Sequence, residues 1–159
     1  MTGSNADHRF EELLEAAPDA IMEVDGGGAI LLLNAAAERL FGYRRDELLG
    51  ANIDMLVPDA VRGRHEAHRK QYAAHPTTRP MGRGMILAAR RKDGSELPVE
   101  ISLSPTHGSG EVSVMAIIHD VSDRRDAEEG IRQANILLEA RNREGGGAVF
   151  RVTLPEGAE

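Results

Sequence analysis

Few side chains in this sequence are placed to act in catalysis or metal binding. The densest group is His65-Glu66-Ala67-His68, with Tyr72 one helical turn later. Its two histidines are three residues apart, whereas the His-Glu-x-x-His zinc site needs four, so that both rings reach one ion from the same helix face. The chain has six histidines and no nucleophile-elbow or phosphate-loop motif. These residues predict no enzymatic activity for the chain.

The composition argues against several further classes of protein. None of the 159 residues is cysteine, so the chain can form no disulfide, no thiolate metal site and no cysteine nucleophile. The formal net charge of −7 argues against a nucleic-acid partner, whose phosphates are neutralised by Lys and Arg. No apolar run approaches the about 20 residues that cross a bilayer, and the first residues lack a secretory signal pattern. We therefore expect a cytoplasmic protein without a nucleic-acid or membrane partner.

Short elements must position these side chains in the first half of the chain. Two apolar segments, Ala20–Val24 and Ala29–Leu33, flank an Asp-Gly-Gly-Gly turn and predict a β-hairpin. Residues 34–75 follow as a string of short helices, in which Asn34 has the character of an N-cap. The last and longest of these helices carries His65.

The second half of the chain changes to a period of two, which is typical of strands. Apolar and polar residues alternate over 97–103 and again over 112–118, and Asp93-Gly94 between apolar runs predicts a hairpin. Helices flank both ends, one starting at Asp7 and one over residues 123–140. Strands joined by hairpins, with the helices segregated, indicate an α+β domain. We expect a five-stranded antiparallel sheet with short helices on one face.

This order of elements, together with four motifs, resembles the PAS family of sensor domains. The similarity covers roughly residues 8–125, and its motifs are Pro18-Asp19-Ala20, Asn34-Ala35-Ala36-Ala37-Glu38-Arg39-Leu40-Phe41-Gly42-Tyr43 with Leu49-Gly50, Arg91-Lys92-Asp93-Gly94-Ser95 with Pro98, and His119-Asp120-Val121-Ser122-Asp123-Arg124-Arg125. The resemblance implies a sensory or relay module of two-component-type signalling, of the kind found at the front of bacterial sensor histidine kinases. It also implies that Asp120 and Ser122 transmit the signal, and that the chain forms a homodimer or pairs with a sensor kinase.

The family's cavity between sheet and helices leaves three occupants open. One is haem. Another is no ligand at all, with the domain acting as a relay of dimer state. The last is a small organic ligand held by apolar side chains, which would otherwise simply form the core: Met22, Leu32, Leu40, Ile101 and Ile118. A flavin photosensor is not expected, because the family's light-driven adduct needs a cysteine.

The haem alternative rests on a more specific resemblance. Arg62-Gly63-Arg64-His65, with Tyr72, is similar to the haem-ligating helix of oxygen-sensing PAS domains in nitrogen-fixation kinases, which implies that His65 would bind the haem iron. Where those sensors have Ile-Gly-Ile-Gly-Arg, this chain has Met81-Gly82-Arg83-Gly84-Met85. Met85 stands at the place of the arginine that binds oxygen. Oxygen sensing is therefore not implied, and Met85 becomes a candidate sixth ligand.

The end of the chain resembles part of a kinase. Ala127, Ile131, Ala134 and Leu138 follow coiled-coil spacing for about two heptads, which predicts a dimer-prone exit helix. The Gly-rich segment 141–159 is similar to the final hairpin of a histidine-kinase ATP-binding domain, without the phosphoacceptor helix or ATP-binding boxes. We expect a disordered N-terminus at 1–7, a sensor domain at 8–122, an exit helix at 123–140 and this tail. A truncated histidine kinase and a kinase-interacting regulator are the alternative functions.

Overall fold

The computed structural model describes residues 3–81, 85–107 and 112–144. It divides into two compact units between Ser122 and Asp123. The first unit contains all the strands, and the described part of the second is helical. Within these residues, no helix is both long enough and apolar enough to cross a membrane.

The chain forms five α-helices, one 3₁₀ helix and six strands within the described residues. In chain order they are α1 (Gly3–Ala16), β1 (Ala20–Val24), β2 (Ile30–Leu33), α2 (Ala35–Phe41), α3 (Arg45–Leu48), the 3₁₀ helix (Ile53–Leu56), α4 (Asp59–Ala74), β3 (Arg79–Pro80), β4 (Leu87–Arg90), β5 (Glu96–His107), β6 (Val112–Asp120) and α5 (Ser122–Glu144).

The sheet is antiparallel throughout and confirms the α+β class. Its order is β2-β1-β6-β5-β3, and β4 also pairs with β5. It has six strands rather than five, because Arg79 and Pro80 pair with Leu103 and Ser102 of β5. A two-residue strand has no alternation to detect, so the sequence could not indicate it.

The core lies between the inner face of the sheet and the short helices. Met22 and Val99 are fully buried on the sheet, and Phe41 and Leu48 reach them from α2 and α3. Burial of such side chains contributes about 1.5–3 kcal/mol each, which is what holds these short helices in place.

Asn34 fixes the start of α2 and is itself fully buried. Its Oδ1 accepts hydrogen bonds from the backbone N–H groups of Ala37 (3.1 Å) and Ile21 (2.9 Å). Its Nδ2 donates to the carbonyls of Leu14 (3.1 Å) and Asp19 (2.9 Å). The predicted N-cap is thus also the point that joins α1, β1 and α2.

The flanking helices are longer than the sequence patterns indicated. Helix α1 begins at Gly3 rather than at Asp7, and α5 runs to Glu144, beyond the expected end at 140. Residues 141–144 of the expected kinase-like tail belong to α5, and the rest of that tail, 145–159, lies outside the described residues.

Candidate functional site

An open cleft of about 450 Å³ lies between the start of β1, helix α2 and the end of β6. Apolar and charged side chains both line it: Pro18, Asp19, Ala20, Ala36, Arg39, Leu40, Arg91, Ile118, His119 and Asp120. Small-molecule sites typically measure about 300–1,000 Å³, so the cleft is large enough for a small ligand.

Asp120 links this cleft to the first residue of α5. Its Oδ1 accepts hydrogen bonds from the backbone N–H (2.9 Å) and the hydroxyl (2.6 Å) of Ser122. Its Oδ2 lies 3.7 Å from Nη2 of Arg91. Burial by itself would raise the pKa of Asp120, but the Ser122 hydrogen bonds and the charge of Arg91 hold that pKa below its ordinary value.

Two further pairs connect the cleft walls. Nε of Arg91 donates to the carbonyl of Leu40 (3.0 Å), which ties the β4–β5 hairpin to the end of α2. Nδ1 of His119 lies 2.6 Å from Oδ1 of Asp19, which ties the end of β6 to the start of β1. The elements around the cleft are therefore joined to one another by side chains that themselves line it.

Only two of the predicted ligand-binding residues line the cleft. Leu40 and Ile118 do, whereas Met22 is fully buried in the core and Ile101 packs against that core. The prediction for Leu32 needs correction. Leu32 pairs with Glu23, so it lies on the face of the sheet opposite to Met22.

His65 lies outside the cleft, on the side of α4 that faces Asp54 of the 3₁₀ helix, where it belongs to a polar cluster. Its Nδ1 is 2.6 Å from Oδ1 of Asp54, and Nη2 of Arg69 is 2.9 Å from Oδ2 of the same carboxylate. Although burial would raise the pKa of Asp54, the hydrogen bonds with His65 and Arg69 lower it. Arg62 adds a hydrogen bond to the Asp54 carbonyl (3.0 Å). One carboxyl-bearing residue thus anchors three basic side chains of α4.

The pairing of His65 with Asp54 suits a haem-binding histidine, but the positions of His65 and Met85 outside the cleft do not suit haem ligands. A metal-binding histidine usually donates its second N–H to a carboxylate, as the Nδ1 of His65 is placed to do towards Asp54, which leaves Nε2 for a metal. Met85, the candidate sixth ligand, is 65% exposed, and neither residue lines the cleft. Among the described residues, no group of three or more His, Asp or Glu side chains could hold a metal ion.

Sequence reasoning did not identify Arg39 and Arg91 as cleft residues. Arg39 lies within the α2 motif and Arg91 within the hairpin motif, but nothing in the sequence indicates that the two share one cavity. The resemblance to the PAS family had indicated Asp120 and Ser122, and the structure shows that in this Asp-x-Ser step the carboxylate bonds to the backbone N–H and hydroxyl two residues on. The same geometry occurs at Asp93-Gly94-Ser95.

A family model described as the PAS fold matches residues 8–121. Sensor protein FixL of Bradyrhizobium diazoefficiens is 30% identical over 124 residues, which is 78% of this chain and 25% of that protein. Oxygen sensor protein DosP of Escherichia coli is 31% identical, over 84% of this chain and 17% of that protein. The chain therefore spans a quarter or less of the length of these two relatives.

Solved structures agree with the family match. The PAS domain of an HTR-like protein from Haloarcula marismortui aligns with a TM-score of 0.63 and 26% identity, covering 74% of this chain and 93% of that one. A PAS domain from a two-component sensor histidine kinase aligns with a TM-score of 0.59 at 19% identity, which supports the fold alone.

Proposed function

The chain belongs to the PAS family of sensory signal-transduction modules, and we propose that it relays the state of its cleft to the start of α5 through Asp120 and Ser122. One observation carries this proposal: Asp120 lines the cleft, and its carboxylate accepts hydrogen bonds from both the N–H and the hydroxyl of Ser122. A change in the cleft that moves this carboxylate must change its bonds to Ser122.

The hydrogen bonds between Asp120 and Ser122 are weak enough to be made and broken without unfolding the domain. The first N–H groups of a helix lack partners within the helix, and a nearby carboxylate satisfies one of them and complements the helix dipole. Loss of such a side chain typically costs about 1 kcal/mol. That is enough to shift a local equilibrium about fivefold without unfolding the domain.

Hydrogen exchange on the whole chain tests the relay. Asp120→Ala should speed amide exchange in the first turn of α5 by about fivefold, because the Ser122 N–H loses its acceptor. Asp93→Ala removes the same kind of Asp-x-Ser bonds at the hairpin tip and serves as the matched control. Equal exchange at Ser122 in both variants would contradict the relay.

Haem binding through His65 is a second candidate function, favoured by the pairing of His65 with Asp54. Haem would supply a coloured centre for gas or redox sensing. This chain's part would be to hold the His65 ring in one orientation by means of Asp54. The protein expressed with a haem precursor should then show a sharp Soret band that His65→Ala removes. A featureless visible spectrum would reject haem.

We also propose that the chain forms dimers through its flanking helices. PAS domains of sensor kinases commonly dimerise, and this chain exposes Phe10 (59%) and Leu13 (66%) on α1 and Ile131 (55%) on α5. Covering such exposed apolar side chains with a partner removes them from water and so stabilises a dimer. Sedimentation equilibrium should show weaker association for Ile131→Glu than for Gln133→Glu, which adds the same charge two residues away.

We further propose that the chain is not itself a kinase. This rests on its sequence, which carries no phosphoacceptor motif, asparagine box or glycine lid. Incubation with labelled ATP should leave the protein unlabelled, and autophosphorylation would instead favour the truncated-kinase alternative.

A further inference from the structure

Two arginine side chains line the cleft, and they determine which ligand it suits. We propose that the cleft binds a small organic anion with one carboxylate on a short apolar body. This inference rests on the proposed relay, since it names the ligand class to which that relay responds. It assigns a binding role to Arg39 and Arg91.

Arg39 provides the first cation. Arg39 is exposed and lines the cleft, and its charge helps to lower the pKa of the Glu15 carboxyl, but it makes no hydrogen bond or close ion pair within the part of the chain that the structure describes. An arginine on a cavity wall whose N–H groups make no hydrogen bond to the protein can donate paired N–H groups to a carboxylate without breaking an existing hydrogen bond.

Arg91 provides the second cation and is already oriented. Its Nε donates to the Leu40 carbonyl (3.0 Å), so the guanidinium plane is held at the cleft wall. Its Nη2 lies 3.7 Å from Oδ2 of Asp120, which is longer than a hydrogen bond. The two Nη groups therefore retain donors for a ligand carboxylate.

The remaining lining residues limit the ligand to a single charge and an apolar body. Half of the lining side chains are apolar: Pro18, Ala20, Ala36, Leu40 and Ile118. The carboxylates of Asp19 and Asp120 stand in the same cleft, where they would repel a second negative charge on a ligand. A monocarboxylate with an alkyl or aryl group matches this lining better than a dicarboxylate or a phosphate.

Such a ligand would act directly on the relay. A carboxylate bound to Arg91 competes with Asp120 for the same guanidinium. Asp120 also accepts hydrogen bonds from Ser122. When Arg91 interacts less with Asp120, the negative charge of that carboxylate at the start of α5 is less neutralised. The ligand site and the signal exit thus share one residue.

Titration of the isotope-labelled full chain with hexanoate, followed by ¹⁵N–¹H NMR, tests the proposal. We expect saturable shifts of cleft amides, and about tenfold weaker binding for 1-hexanol, which has no charge. Arg39→Gln should weaken hexanoate binding by about tenfold, without a folding defect. Arg44→Gln also removes an exposed guanidinium, but one that does not line the cleft, and it should bind hexanoate like the original chain.

The titration distinguishes failure of the proposed anion site from failure of the proposed relay. Equal affinity for hexanoate and 1-hexanol, or unchanged affinity in Arg39→Gln, would overturn the anion site. Hexanoate binding that requires Arg39 but leaves the Ser122 resonance unmoved would support the ligand class and contradict the relay.

Discussion

Helices α2 and α4 are held against the domain by opposite kinds of contact. Helix α2 has only seven residues, but it buries Ala36, Ala37 and Phe41 and is capped at both ends, by Asn34 and Gly42. Helix α4 has sixteen residues, and Tyr72 is its one buried side chain among those that the structure describes. The shorter helix is therefore the more firmly held.

The inward stripe of α4 consists of Arg62, His65, Arg69 and Tyr72, which follow helical spacing. Apolar burial is non-directional and tolerates small shifts, whereas the three basic residues of this stripe depend on Asp54: Arg62 bonds to its carbonyl, and His65 and Arg69 bond to its carboxylate. Nε of Arg69 is buried without a hydrogen-bond partner. We infer that α2 is part of the rigid core and that α4 can separate from it locally.

The largest expected effect comes from the apolar helix. Phe41→Ala should lower the free energy of unfolding by about 3–5 kcal/mol, because Phe41 is only 1% exposed and its loss leaves a cavity. Urea denaturation of the whole domain measures this. A loss below about 1 kcal/mol would show that α2 is no better packed than α4.

Asp54→Asn should have a smaller and more local effect. We expect the free energy of local opening of α4 to fall by about 1–3 kcal/mol, since His65 and Arg69 lose their charged partner while staying largely buried. Hydrogen exchange should rise along α4 but not along α2. Asp59→Asn is the control, because its side chain is 69% exposed and its ion pairs with Arg62 and Arg90 lie at the surface. Global destabilisation by Asp54→Asn would refute the local picture.

Gly28→Ala tests how closely the turn before β2 approaches α4. A Cβ at Gly28 would lie 2.6 Å from Cζ of Arg69, and the φ of +97° disfavours alanine. Gly50→Ala has a similar φ of +77° but no atom within 4 Å of its Cβ, so it reports the backbone strain alone. We expect each variant to lose about 1–2 kcal/mol through strain, because a Cβ is disfavoured at positive φ. Gly28→Ala should lose more than Gly50→Ala in thermal unfolding, and equal losses would mean that Arg69 moves away freely.

The smallest effect is a difference in response to acid. The folded-state pKa of Asp54 is lowered, so its contribution is complete above its ordinary pKa of about 3.9 and is lost as pH falls through the lower folded value. Exchange protection of α4 should therefore decrease at acidic pH more in the original chain than in Asp54→Asn. The caps of α2, Asn34 and Gly42, carry no charge and should add no such dependence. An identical acid response in both chains would contradict a role for Asp54.

Sequence patterns predicted the elements that have local chemical signals. Asn34 marked the start of α2, and Asp93-Gly94 marked a hairpin, because capping and tight turns require particular residue types. The exit motif at Asp120 and Ser122 came instead from the resemblance to the PAS family. These signals were sufficient for the α+β fold and for the family resemblance.

Features set by tertiary structure were not predictable in this way. A bulge between Glu23 and Val24 shifts the register of β2, so that Ile30 and Leu33 point inward and Leu32 points outward. Strict alternation would instead place Ile30 and Leu32 on one face. The inner face of α4 has no apolar periodicity, because most of its side chains are polar, so the sequence pattern did not predict it.

The most direct test of the relay is the output of an attached effector. The whole chain can be fused ahead of the catalytic region of a sensor histidine kinase, and its autophosphorylation rate compared between Asp120→Ala and Asp93→Ala. The relay predicts that Asp120→Ala changes the rate by about fivefold, while Asp93→Ala leaves it unchanged, because Asp120, unlike Asp93, accepts hydrogen bonds from the first residue of α5. Equal rates in the two variants and the original fusion would contradict signal transmission through Asp120 and Ser122.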